Sequence, residues 1–237
     1  MKFYRTLQPF KLISFDLDDT LYDNTEVIRL AEQHFLAQLK QESQLHELTT
    51  DIWRDWKNKV AQQNSILSED VVEWRIESMR QLLAYHQKSA VEMTRILQSV
   101  MDVFVEWRHK IEVPNQSQQV LNTLKAKYPL VAITNGNVEP QRIGLTQFDL
   151  VLRGGEQGRA KPHQDLFHQT AQQFGVQPQE ILHVGDNLIA DIQGAIQANC
   201  QAVWINQSGK NLRDFSDATL VPTVEITDLT QLLLLSA

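Results

Sequence analysis

Two hydrophobic periods divide the chain. Between residue 24 and about residue 110 there is no Gly and no Pro. Apolar residues there such as Ile28, Ala31, Phe35 and Leu39 recur at intervals of three and four, the spacing that builds one helix face. The block predicts helices over 24–45, 49–63, 68–86 and 89–110. On either side of it, apolar residues come in short continuous runs ending in polar or glycine-bearing turns. The first run is Leu12-Ile13-Ser14-Phe15. After Pro114 the pattern predicts a helix over 115–127, strands over 130–133 and 150–152, and a helix over 163–174. A strand over 181–184, a helix over 190–198 and strands over 202–205 and 223–226 complete the set. Strands alternating with helices give an α/β fold, and parallel strands bring their carboxyl ends to one edge.

Composition narrows the class without changing the fold. With 237 residues, 42% hydrophobic and 22% charged, the chain can bury a full core and is an ordinary globular sequence. A net charge of -7 argues against a nucleic-acid partner, because such binding rests on clustered Lys and Arg. An acidic chain that takes a small phosphate ester must supply positive potential locally, from a cation, a lysine or helix N-termini. The amino terminus lacks a secretory pattern, and no apolar run approaches a bilayer span. The cytoplasm is therefore the expected compartment, with no membrane partner and a monomeric state. The single cysteine, Cys200, excludes an internal disulfide and reads as a buried small residue.

The chemistry lies in the turns that end four of the strands. The first carries Asp16, Asp18 and Asp19; the second is Thr134-Asn135-Gly136; the third runs on to Lys161-Pro162; the fourth is Gly185-Asp186, with Asp191 beyond. Residues two apart share a face in an extended segment. Asp16 and Asp18 therefore leave the first strand on one side, unless a turn beginning at Asp18 carries the second away. Two carboxylates held close require a raised pKa or a bound cation, although this stretch alone also fits a plain Asp-rich turn. Collected at one edge, the oxygen donors suit a hard cation, and a phosphate site favours Mg²⁺.

Thr134 and the backbone N–H groups of Asn135 and Gly136 are then placed for phosphoryl oxygens, with Lys161 adding a point charge. In this scheme Asp16 attacks phosphorus to give an aspartyl phosphate. Asp18 protonates the leaving alcohol and then activates the hydrolytic water. Asp16, Asp186 and the backbone carbonyl of Asp18 hold the metal, while Asp191 reaches it through water and orients Lys161.

With these motifs in this order, the chain resembles the haloacid dehalogenase-like hydrolase superfamily. The resemblance rests on Asp16-Leu17-Asp18-Asp19-Thr20, Thr134-Asn135-Gly136, Lys161-Pro162, and Gly185-Asp186 with Asp191. It implies a Rossmann-like core over 1–22 and 114–237 with an inserted all-helical type 1 cap over 23–113. Dehalogenases proper lack the second aspartate and need no metal, so Asp18 favours a phosphatase. More narrowly, segments such as Leu21-Tyr22-Asp23-Asn24, Trp74-Arg75, Trp107-Arg108 and Ile181-Leu182-His183 resemble the bacterial flavin-pathway phosphatases. Those act on 5-amino-6-(5-phospho-D-ribitylamino)uracil and on FMN. Phosphatases of other sugar or nucleotide phosphates, a phosphomutase and a catalytically idle phospholigand-binding module are the competing readings.

Other residues leave alternatives open. Trp53, Trp56, Trp74 and Trp107 either pack between helices or form an aromatic wall against a ring-bearing substrate. Arg75 and Arg108, each following Val-Glu-Trp, read as solvated pairs or as a grip on an anion. Asp19 braces the turn or touches the site. Asn187 is a metal-shell ligand or a helix cap. His183 fits a hydrogen-bonded core histidine better than a catalytic one. Arg159 and His163 either add positive potential beside Lys161 or stay at the surface.

Overall fold

The run Leu12–Phe15 forms a strand buried along its whole length, with a parallel neighbour on each side. The computed structural model describes residues 1–209, 211–216 and 219–235. Among the described residues the strands are β1 (Lys2–Phe3), β2 (Leu12–Phe15), β3 (Leu130–Thr134), β4 (Leu150–Arg153), β5 (Ile181–Gly185), β6 (Gln201–Ile205) and β7 (Val224–Ile226). They form one sheet in the order β1-β7-β6-β5-β2-β3-β4, parallel except where β1 runs antiparallel to β7. From β2 the chain builds outward to β3 and β4, then returns to the other side of β2 for β5, β6 and β7. That reversal puts a crevice beside the carboxyl end of β2, where open α/β sheets bind ligands.

The pleat accounts for the buried runs. Leu12, Val131, Ile133, Ile181, Ala202 and Trp204 share a cluster with Leu166 and Phe167 of α6 (Asp165–Phe174) and Ala195 of α7 (Gly194–Gln197). Ile13, Phe15, Leu130 and Ala132 are buried too, as strands covered on both faces require. Fully burying one such side chain contributes roughly 1.5–3 kcal/mol.

Two compact units divide the chain: residues 1–23, 112–136 and 140–237 in one, 24–111 and 137–139 in the other. The second is helical, with α1 (Thr25–Ser43), α2 (Thr50–Gln63), α3 (Val71–Tyr85) and α4 (Ala90–Arg108); α5 (Asn115–Lys125) belongs to the first. Caps set the helix starts. Thr49 accepts the N–H of Ile52, Asp70 accepts those of Val72 and Glu73, and Ser89 and Glu92 form a reciprocal box. Ala31, Phe35, Leu39, Trp53, Met79 and Phe104 make the core of this unit. Trp56 and Trp107 pack against it, and Trp74 donates its indole N–H to the carbonyl of Lys57 at 2.8 Å. All four tryptophans thus serve helix packing. No helix among the described residues is long and apolar enough to cross a membrane.

Three expectations are corrected. Arg75 and Arg108 are not solvated: they are 7% and 2% exposed. Arg75 forks onto Glu32 at 2.5 and 3.1 Å and lies over the rings of Phe104 and Phe35, at 3.8 and 4.7 Å. Arg108 donates to Asn24 Oδ1 at 2.8 Å. The helix expected over 190–198 is a π-helical turn, Leu188–Gln193, followed by the short α7. Finally, β1 was not expected at all.

Candidate active site

The sheet register sets the site. Phe15 is level with Ala132 on one side and Val184 on the other, and Asp16 donates its N–H to the carbonyl of Val184 at 2.9 Å. Asp16 therefore emerges beside Gly185, one residue before Asp186. Beyond it the chain turns tightly. Asp19 takes a left-handed φ of 57°, a conformation that Asp tolerates better than most residues, and bonds the carbonyl of Tyr22 at 2.8 Å. The side chain of Asp18 accepts the hydroxyl of Tyr22 at 2.9 Å. Ser117 fixes the far end of the turn through the carbonyl of Leu21, at 2.7 Å.

Lys161 is the hub. It is buried, and its ammonium donates to Asp16 Oδ1 at 2.7 Å, Asp191 Oδ1 at 2.6 Å and the carbonyl of Ile133 at 2.6 Å. All three of its protons are engaged. Burial works against that charge, but Asp16 and Asp191 outweigh it and raise its pKa. Burial also pushes the Asp16 carboxyl well above the usual carboxylate range, against the pull of Lys161, with Asp191 and Asp18 adding to the rise. At Asp191 burial is outweighed by Lys161 and His183, which hold the carboxyl below its usual range. Asp186 is raised to about 6 by burial and by its neighbours Asp191 and Asp19; Thr20 offers it a hydroxyl at 3.3 Å. A single ammonium does not balance these acids, so the site favours a further cation.

Asp191 is tightly held. Oδ1 takes the Lys161 ammonium, and Oδ2 accepts the N–H of Asn187 at 2.9 Å. A Cβ on Gly185 would stand 2.3–2.4 Å from its carboxyl group. Behind it His183 lies fully buried, its Nδ1 2.9 Å from Ser14 Oγ and its Nε2 3.5 Å from Asp191, with its ring edge-on to Phe167. Burial lowers its pKa and keeps it neutral, a hydrogen-bonded core histidine.

Thr134, at the end of β3, accepts the N–H of Gly136 on its own Oγ1 at 2.9 Å. The Asn135 side chain bonds the backbone of Lys161. Asn187 caps the following turn, accepting the N–H groups of Ile189 and Ala190 at 3.0 and 2.9 Å. That is the second of the two roles left open for it. His163 pairs with Asp165 at 2.9 Å on the surface. A cavity of about 620 Å³ opens beside Asp186 and Asp19, walled by Ile189, Trp204 and Phe215.

Oxygens of Asp16, Asp186 and Asp191 lie within 4.8 Å of one another. An anionic, all-oxygen set containing a half-buried carboxyl raised to about 6 fits a hard divalent cation. Because both oxygens of Asp191 already accept hydrogen bonds, Asp16 and Asp186 are its better direct ligands. Three contacts of the site were not among those read from the sequence: Tyr22 on Asp18, Thr20 on Asp186, and Trp204, whose indole bonds the carbonyl of Asp186 at 2.8 Å. Each contact is made by the fold across strands or turns.

A family model for haloacid dehalogenase-like hydrolases matches residues 10–199. The chain belongs to the haloacid dehalogenase-like hydrolase family. Over 234 residues, 98% of each chain, it is 38% identical to the 5-amino-6-(5-phospho-D-ribitylamino)uracil phosphatase YigB of Escherichia coli K12. It is 26% identical to the glyceraldehyde 3-phosphate phosphatase of Pyrococcus furiosus over 96% of this chain and 93% of that one. The crystal structure of the 2-haloacid dehalogenase from Pseudomonas syringae pv. Tomato DC3000 superposes with a TM-score of 0.88 at 29% identity, covering 96% of this chain and all of that one. Within this family of hydrolases the chain is a phosphatase of phosphate monoesters, and the catalytically idle reading falls away.

Proposed function

We propose that this phosphatase is Mg²⁺-dependent and works through an aspartyl phosphate on Asp16. Its proposed substrate is 5-amino-6-(5-phospho-D-ribitylamino)uracil, with FMN as the second candidate. The observation that carries the chemistry is the buried trio of Asp16, Lys161 and Asp191, with Asp186 beside it. The substrate rests on the 38% identity to YigB across nearly the whole chain. The proposal keeps residues 23–113 as a cap inserted into the core.

Asp16, Asp186 and the backbone carbonyl of Asp18 would hold Mg²⁺, and its charge would let anionic phosphate approach anionic carboxylates. The remaining steps belong to the chain. Lys161 holds Oδ1 of Asp16, leaving Oδ2 to attack phosphorus. As that P–O bond forms, the ester P–O bond breaks and the leaving alcohol takes the proton of Asp18. Tyr22 holds Asp18 in place through its hydroxyl. Asp18, now ionised, takes a proton from water; the water oxygen bonds phosphorus, and the Asp16 carboxylate and inorganic phosphate separate. The Thr134 hydroxyl and the backbone N–H of Asn135 take the phosphoryl oxygens, while the Gly136 N–H holds Thr134 Oγ1 in place at 2.9 Å.

Asp18 separates this reading from dehalogenation, the activity named for the Pseudomonas syringae protein. The test is a panel of phosphate esters compared by kcat/KM, with and without EDTA. The ribitylaminouracil phosphate should lead, and EDTA should abolish turnover. A triose phosphate leading by tenfold or more would transfer the substrate assignment, and full turnover in EDTA would remove the metal.

A further inference from the structure

Asn135 follows Thr134 directly, and the group expected at phosphate is its backbone N–H, which leaves the side chain unassigned. Its carboxamide faces the protein. Oδ1 accepts the backbone N–H of Lys161 at 2.9 Å, and Nδ2 donates to the backbone carbonyl of the same residue at 2.8 Å. One side chain thus makes on Lys161 the pair of hydrogen bonds that a neighbouring strand would make with its backbone. Gly154, just past β4, closes the other side. Its N–H donates to the carbonyl of Thr134 at 2.9 Å. A Cβ there would lie 2.7 Å from both Cα and Cβ of Ala160 and 2.9 Å from Asn135 Oδ1. The segment carrying Lys161 is therefore hung from a carboxamide and packed against a bare backbone.

What this bracket holds has little slack. The Lys161 ammonium has acceptors at 2.6, 2.6 and 2.7 Å, and a shift of the backbone by about 1 Å takes it out of hydrogen-bond reach of at least one of them. We infer that Asn135 and Gly154 are positioning residues for Lys161: the Asn135 carboxamide fixes the lysine backbone instead of gripping phosphate, and Gly154 makes room for it. The inference rests on Lys161 serving the phosphoryl site.

The test combines kinetics on p-nitrophenyl phosphate with a double-mutant cycle on the Mg²⁺-loaded enzyme. Asn135→Ala keeps the backbone N–H of residue 135 and should lower kcat by about 10²-fold, the usual cost of a 1 Å misplacement. Gly154→Ala should do the same through a different atom. The cycle pairs Asn135→Ala with Lys161→Met and reads orthovanadate affinity by calorimetry, which needs no turnover. Each single variant should weaken vanadate, and the double variant should be no weaker than Lys161→Met alone, within twofold. Multiplying losses in the double variant would show Asn135 touching the ligand directly and overturn the inference. So would wild-type kcat in Asn135→Ala. If Lys161→Met itself binds vanadate and turns over like wild type, the site reading fails first, and this inference with it.

Discussion

Substituting Gly185 by alanine tests how rigidly Asp191 is held. The new Cβ would sit 2.3–2.4 Å from Cγ, Cβ and Oδ2 of Asp191, whereas ordinary contact begins near 3.4 Å. Gly185 lies inside β5, paired with Trp204, so Asp191 has to move, by about 1 Å. That shift stretches its bonds to Lys161, now 2.6 Å, and to the N–H of Asn187, now 2.9 Å. Overpacking costs roughly 1–3 kcal/mol, and weakening a hydrogen bond to a charged group adds roughly 1.5–3 kcal/mol. We expect a loss of about 3 kcal/mol in urea unfolding. Turnover of p-nitrophenyl phosphate, measured where the variant is fully folded, should fall by about 10²-fold as Lys161 follows Asp191. The control is Gly175→Ala. Its φ of 63° makes alanine strained, yet nothing lies within 4 Å of the added Cβ. It should lose about 1 kcal/mol with kcat intact. A Gly185→Ala enzyme with wild-type kcat would mean that Asp191 does not hold Lys161 in its working position.

Other predictions follow from the charges. The Asp186 carboxyl, raised to about 6, must lose its proton to bind a cation. Mg²⁺ affinity measured by calorimetry should therefore fall as pH drops below about 6, by up to roughly tenfold per unit, with proton release on binding; a Kd constant from pH 5 to 7.5 would contradict this. In the helical unit, burial pushes the Glu32 carboxyl up, but the Arg75 hydrogen bonds and the charges of Arg75 and Lys57 outweigh it and hold it below its usual range. A depressed acid stabilises the fold above its unfolded value, near 4.3, and loses that contribution as pH falls through the folded value. Glu32→Gln should therefore cost about 1–3 kcal/mol at pH 7 in urea melts, less than a fully buried pair because Glu32 keeps some exposure. The gap to wild type should narrow as pH falls below the unfolded value, about 4.3; a constant gap down to pH 3 would count against the pair.

The fold was legible where a local pattern decides it. Leu12–Phe15 reads as a buried strand on its own, and Ser89 with Glu92 announces the start of α4. Legibility ended where distant partners decide. Lys2–Phe3 is a strand only because Val224 and Glu225 pair with it. Arg75 looks solvated beside Glu73 and Trp74, yet its partners are Glu32 and Phe104, from other helices. The helix expected after Asp186 opens as a π turn, where the N–H groups of Asp191 and Ile192 both reach the carbonyl of Asn187 while the Asp191 side chain is drawn to Lys161. In the site, the residue types at the strand ends named Asp16, Lys161 and Asp186, because chemistry restricts what can stand there. The choice of partners, with Asn135 on the Lys161 backbone and Tyr22 on Asp18, is geometric and left no trace in composition or spacing.

If phosphate passes through Asp16, the acyl phosphate can be trapped there. In Asp18→Asn the attack survives while activation of water is lost, so the intermediate should accumulate with a good leaving group such as p-nitrophenol. Acid quenching followed by borohydride reduction converts an aspartyl phosphate to homoserine, which peptide mass spectrometry locates. Homoserine at position 16, absent without substrate, is the predicted result. Homoserine at another aspartate, or undiminished turnover by Asp16→Asn, would mean that phosphate does not pass through Asp16.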